Sequence, residues 1–343
     1  MSLRISTLWE VSVAFVGLCV FAAAGYAVES SSGLTLCDDC DECGSYECDE
    51  ITWEAELGFV ALQRSTLPGR VLARGLGGTP EPVLSADQFG FNYEAGPDVT
   101  ILRQGGVADI EFRWFQVHNS IAESATLSDP LGFGFPFRYL LGAVDPNGVD
   151  FTAKYISQVN SFEMNLGRPV ADRIDLFGGF RFVDFNEVLS YSATPDDQAP
   201  IPLFVRSFNA LYGFQLGSRV TLWDRGGPLR LVAAGKAGIY DNFASNRADD
   251  GGTSGDLDYV DSASTQHTAF LGEASMNCKY QLTSHLEAHI GYQVMWLDGV
   301  ALASEQTPLL DPAHDPLDFG SPSCATDGTV FYHGFLGGIS LSY

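Results

Sequence analysis

VRSFNALYGFQLGSRVTLW (residues 205–223), DRGGP (224–228) and LRLVAAGKAGIYDNFASN (229–246) make the stretch on which the reading of this chain turns. In steps of two, Phe208, Ala210, Tyr212, Phe214, Leu216, Val220 and Leu222 fall on one side, with Ser218 the one interruption. Ser207, Asn209, Gly213, Gln215, Gly217 and Arg219 fall on the other. The return arm sets Leu229, Leu231, Ala233, Ala237 and Ile239 against Arg230, Lys236 and Gly238. A period of two means strands, and the glycine-rich link between the arms suits a hairpin turn. Each arm is close to three times the ~5–6 residues usual for a strand in a soluble protein. A strand that crosses a bilayer obliquely needs ~9–11 residues. The pattern predicts a transmembrane β-barrel.

The same alternation recurs along the chain. It predicts ten strands in all, at 53–61, 91–101, 110–114, 151–166, 174–182, 205–223, 229–246, 267–279, 286–296 and 331–343. In the fourth, the apolar parity switches near Asn160, which predicts a bulge. Connections near 104–107, 168–172, 224–228 and 282–284 are short, whereas those at 64–87, 119–149, 193–203, 247–262 and 302–328 are long. An even strand count with short turns at one rim and long loops at the other is the outer-membrane arrangement. The short turns are expected in the periplasm and the long loops outside. The fold class expected is therefore all-β, a closed antiparallel transmembrane barrel spanning 52–343.

Residues 1–27 read as a signal peptide, with Arg4 ahead of the apolar run 11–24 and small residues Gly25 and Ala27 near a cleavage point. A helical anchor is the competing reading, and Glu10 favours it. Residues 28–51 are an acidic linker that holds Cys37, Cys40, Cys43 and Cys48. Thiolates at that spacing could share a metal, form disulfides in an oxidising envelope, or belong to a plain tether. No other cofactor is expected.

Charge narrows the partners. Against 18 Lys and Arg stand 43 Asp and Glu, a net of −25, which excludes a nucleic-acid footprint. The polar face of the strands carries Glu54, Glu56, Glu94, Asp98, Asp109, Glu111, Arg113, Lys154, Asp175, Arg181, Arg219, Arg230, Lys236, Glu273, Lys279 and Glu287. All sixteen are expected inside the barrel, either as a salt-bridged plug or as the lining of a small selective pore. Trp53, Trp223 and Tyr343 suit one interfacial girdle, and Trp296 and Phe331 the other.

Catalytic motifs are absent from the sequence: no G-x-S-x-G, P-loop or H-E-x-x-H occurs. No enzyme is expected. His118, His267, His285, His289, His314 and His333 are scattered, and His314 lies in the acidic run 311–318. Similar runs at 249–250 and 256–261 could hold Ca²⁺ but read equally as solvated loops. Cys278 and Cys324 fall at opposite rims, so no bond between them is expected.

LWDRGGPL (222–229), KAGIYDN (236–242), residues 271–302 and FYHGFLGGIS (331–340) resemble a family of β-barrel porins from planctomycete bacteria. The resemblance covers about residues 50–343. It implies an outer-membrane barrel and little about cargo. The barrel itself leaves two functions open: passive passage of small solutes, or a non-conducting structural or surface-display barrel whose acidic outer loops bind partners or cations. Outer-membrane lipid would be the immediate partner. Phe335, Ile339, Leu341 and the terminal Tyr343 also look like the signal by which such barrels engage their assembly machinery.

Overall fold

The computed structural model describes residues 51–75, 82–127, 132–135, 138–141, 149–195, 200–249, 260–307 and 323–343. The expectations for 1–27, Cys37, Cys40, Cys43, Cys48, His314 and most of the acidic loop runs lie outside these residues. Strand β1 (Thr52–Arg64) leads to two short strands, β2 (Val71–Gly75) and β3 (Pro82–Ser85), then β4 (Glu94–Gln104) and β5 (Asp109–Leu127). Short strands β6 (Gly132–Phe135) and β7 (Arg138–Leu141) precede β8 (Val149–Ala171), β9 (Ile174–Pro195), β10 (Ile201–Asp224) and β11 (Leu229–Asp249). The chain ends with β12 (Val260–Gln281), β13 (Leu286–Val300) and β14 (Gly328–Ser342).

Ten of these close into a barrel in the order β1-β14-β13-β12-β11-β10-β9-β8-β5-β4, every pair antiparallel. These are the ten strands the alternation predicts. Closure leaves no unpaired edge within the apolar zone, which hydrocarbon demands because each unsatisfied backbone group there costs several kcal/mol. The turn at 225–228 uses Gly226 at φ 71°, a backbone state open to glycine at no steric cost.

The outer face identifies the solvent. Phe214, Leu216, Ile239 and Ile290 are 76%, 75%, 68% and 62% exposed. Along β10 the apolar outward positions run from Leu222 to Tyr212. Ten residues at ~3.3 Å each, tilted by about 40°, give a band about 25 Å tall, the hydrocarbon height of such barrels. This is a transmembrane barrel.

The wall is uneven in height. The β4–β5 ladder stops at Asp98–Phe115, but β5–β8 continues to Leu127–Val149. Likewise β12–β13 begins only at Phe270–Asp298, whereas β11–β12 extends to Asp249–Val260. Six strands therefore rise past the other four. The chain between β9 and β10 is only residues 196–200. That corrects the bounds of the expected long loop at 193–203: residues 193–195 and 201–203 are strand.

The bulge expected near Asn160 is absent, because β8 keeps one register with β5 and β9 from Val149 through Gly167. What changes is the solvent. Below Asn160 the outward residues Phe162, Met164 and Leu166 face lipid. Above it the inward residues Phe151, Ala153, Tyr155 and Val159 are buried. The strand leaves the membrane, so its apolar side switches from outside to inside.

Above the belt, the tall wall curves round an ordinary protein core. Leu67, Leu72, Ala73, Leu84, Ala86, Phe89 and Phe91, from the connection between β1 and β4, pack on Phe151, Tyr155, Leu189, Tyr191, Leu203 and Val205. A second four-stranded sheet, β3-β2-β6-β7, joins that connection to the one between β5 and β8.

Candidate functional site

The candidate site is the barrel interior, and strand β9 reads it from one end to the other. Its inward positions are Asp175, Phe177, Gly179, Arg181, Val183, Phe185, Glu187, Leu189, Tyr191 and Ala193. From Arg181 onward the order is polar, apolar, polar, apolar. Each band is completed by the strands on either side.

At the short-turn end lies a charged funnel. Arg230 pairs with Glu287, Lys279 Nζ lies 3.2 Å from Glu287, and Arg219 pairs with Glu111. His289 Nε2 is 3.1 Å from Glu56. The Arg219 and Arg230 side chains are 34% and 44% exposed, so this end is wet.

Above the funnel the lumen closes. Arg113 donates a fork to Asp98, with Nη2 2.8 Å from Oδ2 and Nε 3.1 Å from Oδ1. Its Nη1 reaches Glu273 at 2.7 Å. Arg181 Nη1 lies 2.9 Å from Glu273 and 3.4 Å from Glu163, and Lys236 Nζ is 2.8 Å from Glu163. Gln215 Nε2 adds a hydrogen bond to Glu163 at 2.8 Å. Three cations meet three carboxylates, so the layer is neutral. Both Arg181 and Glu163 have no exposed side-chain surface. The guanidinium groups of Arg113 and Arg181 lie 4.9 and 5.8 Å from the Phe115 ring, which roofs the layer. Val60, Leu62, Val117, Val159, Val183, Phe185, Leu211, Leu271 and Leu297 continue the seal.

The second polar band centres on Glu187. Arg64 Nη2 lies 2.6 Å from its Oε1, Ser157 Oγ donates at 3.2 Å, and Tyr155 donates its hydroxyl to Oε2. The backbone N–H of Ala303 also donates to Oε2, at 3.1 Å. Segment 301–304 is thereby drawn into the lumen, where all four residues are fully buried. Gly299, at φ 82°, makes the corner, and its carbonyl accepts from Asn242 at 3.0 Å. Asn209 holds Ala301 from both sides, at 2.9 and 2.7 Å.

Of the sixteen charges expected inside, Lys154 is a correction. It is exposed, and its outward neighbours on β8 alternate with buried Ala153 and Tyr155, so it stands on the outer wall above the belt. The parity switch misread as a bulge put it on the wrong side. The fifteen others occupy inward positions, and the ion pairs bring together Glu54, Glu56, Asp98, Glu111, Arg113, Arg181, Arg219, Arg230, Lys236, Glu273, Lys279 and Glu287. Glu94, Asp109 and Asp175 join none of these pairs. Glu163, Glu187 and Arg64 are interior charges that the alternation overlooks. An unbroken odd parity along β8 would have found Glu163.

His333 is on the outer wall, where Tyr292 and Tyr93 hydroxyls lie 2.7 and 3.3 Å from Nδ1. His118 and His267 are exposed, and His285 is in the turn before β13. Among the described residues no group of His, Cys, Asp and Glu could hold a metal. Cys278 and Cys324 are free thiols.

No family model matches the sequence, and no curated protein matches it. Solved structures do. The chain is similar to the outer membrane protease OmpT of Escherichia coli, with 10% identity, 88% of this chain and 99% of that one covered, and a TM-score of 0.39. It is similar to a mutant of the monoaromatic hydrocarbon channel TodX, with 10% identity, coverage of 86% and 91%, and a TM-score of 0.31. A Pseudomonas aeruginosa FadL homologue matches with 11% identity, coverage of 86% and 90%, and a TM-score of 0.26.

Proposed function

We propose that this chain is an outer-membrane barrel, sealed at rest, that anchors a rigid extracellular half-barrel at the cell surface. One observation carries the reading: Arg113, Arg181, Lys236, Asp98, Glu163 and Glu273 pair across the lumen, with Arg181 and Glu163 wholly buried. The seal is made by the wall itself. It does not depend on a loop that could swing away. An ion crossing this layer would have to displace paired charges that are already desolvated, and breaking such pairs costs several kcal/mol.

Residues 1–27 would direct export, and Tyr343 would present the chain to the assembly machinery. The apolar belt would rest in outer-membrane lipid. The planctomycete porin resemblance, which covers about residues 50–343, agrees with the last of these.

Passive passage of small solutes is the second reading, and the wet funnel with charges of both signs is what favours it. It requires the neutral layer to part. Planar-bilayer recording of the purified protein separates the two. A sealed barrel gives insertion without unitary current steps, and reproducible ohmic steps would overturn the anchor reading in favour of the channel.

A further inference from the structure

At the short-turn edge of the belt, two arginines face outward without a carboxylate beside them. Arg103 of β4 has outward parity with Ile101, and its cross-strand partners are Trp53 of β1 and Ile110 of β5. Ile110 in turn pairs with Leu166 of β8, and Arg168 is the next outward position on that strand. Its own partner on β9 is Leu176. Arg168 is exposed and makes no hydrogen bond or ion pair with the described residues. Arg103 makes one bond, from Nη1 to the Gly105 carbonyl at 3.3 Å, which turns its head toward the rim. Asp109 points inward and accepts from the Gly105 N–H at 3.0 Å, and Asp172 lies further out, in the turn between β8 and β9. Neither forms an ion pair with these arginines.

Both stand where lipid changes from tail to head group. Arg168 is two residues past Leu166, the lowest of the lipid-facing run Phe162, Met164 and Leu166, and Arg103 is two past Ile101. Two residues at ~3.3 Å each, tilted by about 40°, make about 5 Å. The polar layer is about 5–8 Å deep on each side of the hydrocarbon. Trp53, 47% exposed beside Arg103, marks the same level, as interfacial tryptophans do. Two strand spacings and two residues separate the arginines, so their Cα atoms are about 12 Å apart. Two arginine side chains that lean toward each other across that distance meet at one phosphate. Charge along the chain is sorted to match. The connections 249–261 and 302–328, at the other rim, hold Asp and Glu with no Lys or Arg.

We propose that Arg103 and Arg168 clasp the phosphate of an anionic phospholipid in the leaflet at the short-turn rim. The guanidinium fork suits bidentate recognition of phosphate. A cation at the edge of hydrocarbon gives up part of its hydration, and a fixed phosphate replaces what is lost. Continuity with the belt fixes the occupant: acyl chains lie on Ile110, Leu166 and Leu176, and the head group above them meets the arginines. Trp53 closes the site on the β1 side. This rests on the outer-membrane reading with the short turns in the periplasm, which makes the leaflet the inner one.

The test uses the full-length folded protein in detergent micelles, with native mass spectrometry to count bound lipid across a titration. Phosphatidylglycerol is the probe. Diacylglycerol of the same chains and inorganic phosphate are the comparisons, and the faster gel migration of the unboiled protein reports folding separately. Phosphatidylglycerol should bind, and R103Q/R168Q should weaken it about tenfold or more, since a charge-assisted contact is worth about one factor of ten. K154Q, which removes a charge from the outer wall above the belt, should bind like the parent. Equal binding by R103Q/R168Q, equal binding of diacylglycerol or of inorganic phosphate, or an equal loss in K154Q would each overturn the proposal. Should R103Q/R168Q fail to fold, R168Q decides alone: unchanged binding refutes the site. An epitope inserted beside Asp172 that antibodies reach on intact cells would instead overturn the leaflet and, with it, the periplasmic placement of the short turns. The lipid counts judge the site apart from that reading.

Discussion

Single residues in the wall differ by which side they face and at what height. Arg181 is buried between Glu163 and Glu273, so Arg181→Met leaves carboxylates short of a partner and should cost about 3–5 kcal/mol. Urea unfolding of the inserted barrel, followed by tryptophan fluorescence, measures this. A loss below about 1 kcal/mol would mean that the layer carries no such charge constraint. Phe214, at 76% exposure near mid-belt, should lose about 2–4 kcal/mol as Phe214→Arg. Lys154→Leu, on the outer wall above the belt, should stay within about 0.5 kcal/mol. Equal penalties at the two sites would contradict the change of solvent along the strands. Period-two reading finds most inner charges because each sits among small or apolar outward neighbours. It fails at Lys154, whose local apolar neighbours face a core and not lipid.

Elements carry the next level of behaviour. The short segment 301–307 enters the lumen, and there Glu305 is partly buried near Asp327 and Glu187. Burial, with Asp327 next, pushes its carboxyl above the ordinary 4.5, and Arg70 opposes the shift. A raised acid favours the protonated fold, so its contribution is fully present below about pH 4.5 and fades as pH rises through the folded value. The protection of 301–307, taken relative to the intrinsic exchange rate at each pH, should therefore be greatest in acid and fall toward neutral pH, and Glu305→Gln should flatten that dependence. An unchanged slope in the variant would assign the effect elsewhere. The strands themselves were legible in the sequence, since all ten show a long period-two pattern. Their heights were not. At 193–195 and 201–203 the alternation is short and interrupted by Pro195 and Pro202, and such a stretch looks like a loop. The burial of 301–304 was hidden for a different reason: Asn209 and Glu187, which hold it, lie far away in sequence.

The whole molecule combines a membrane barrel with a soluble half-barrel made from the same strands. Its closure was legible from the even strand count. The core above the belt was not, because it depends on residues 67–91 folding back onto strands more than fifty positions later. The uneven wall also has a mechanical consequence. The ladder of β4 against β5 is paired only from Asp98 to Arg103, whereas β8 and β9 are joined from Val149 to Ala171. A cylinder stitched this way has a built-in tear line. Pulled upward by a handle in the connection between β1 and β4 in an atomic-force experiment, it should open first along that seam, releasing β4 and then β1 as separate low-force peaks. The six tall strands should follow at higher force, in hairpin-sized steps. A single rupture of the whole barrel, or a first peak from β8 to β11, would show that stitch length does not govern where this cylinder gives way.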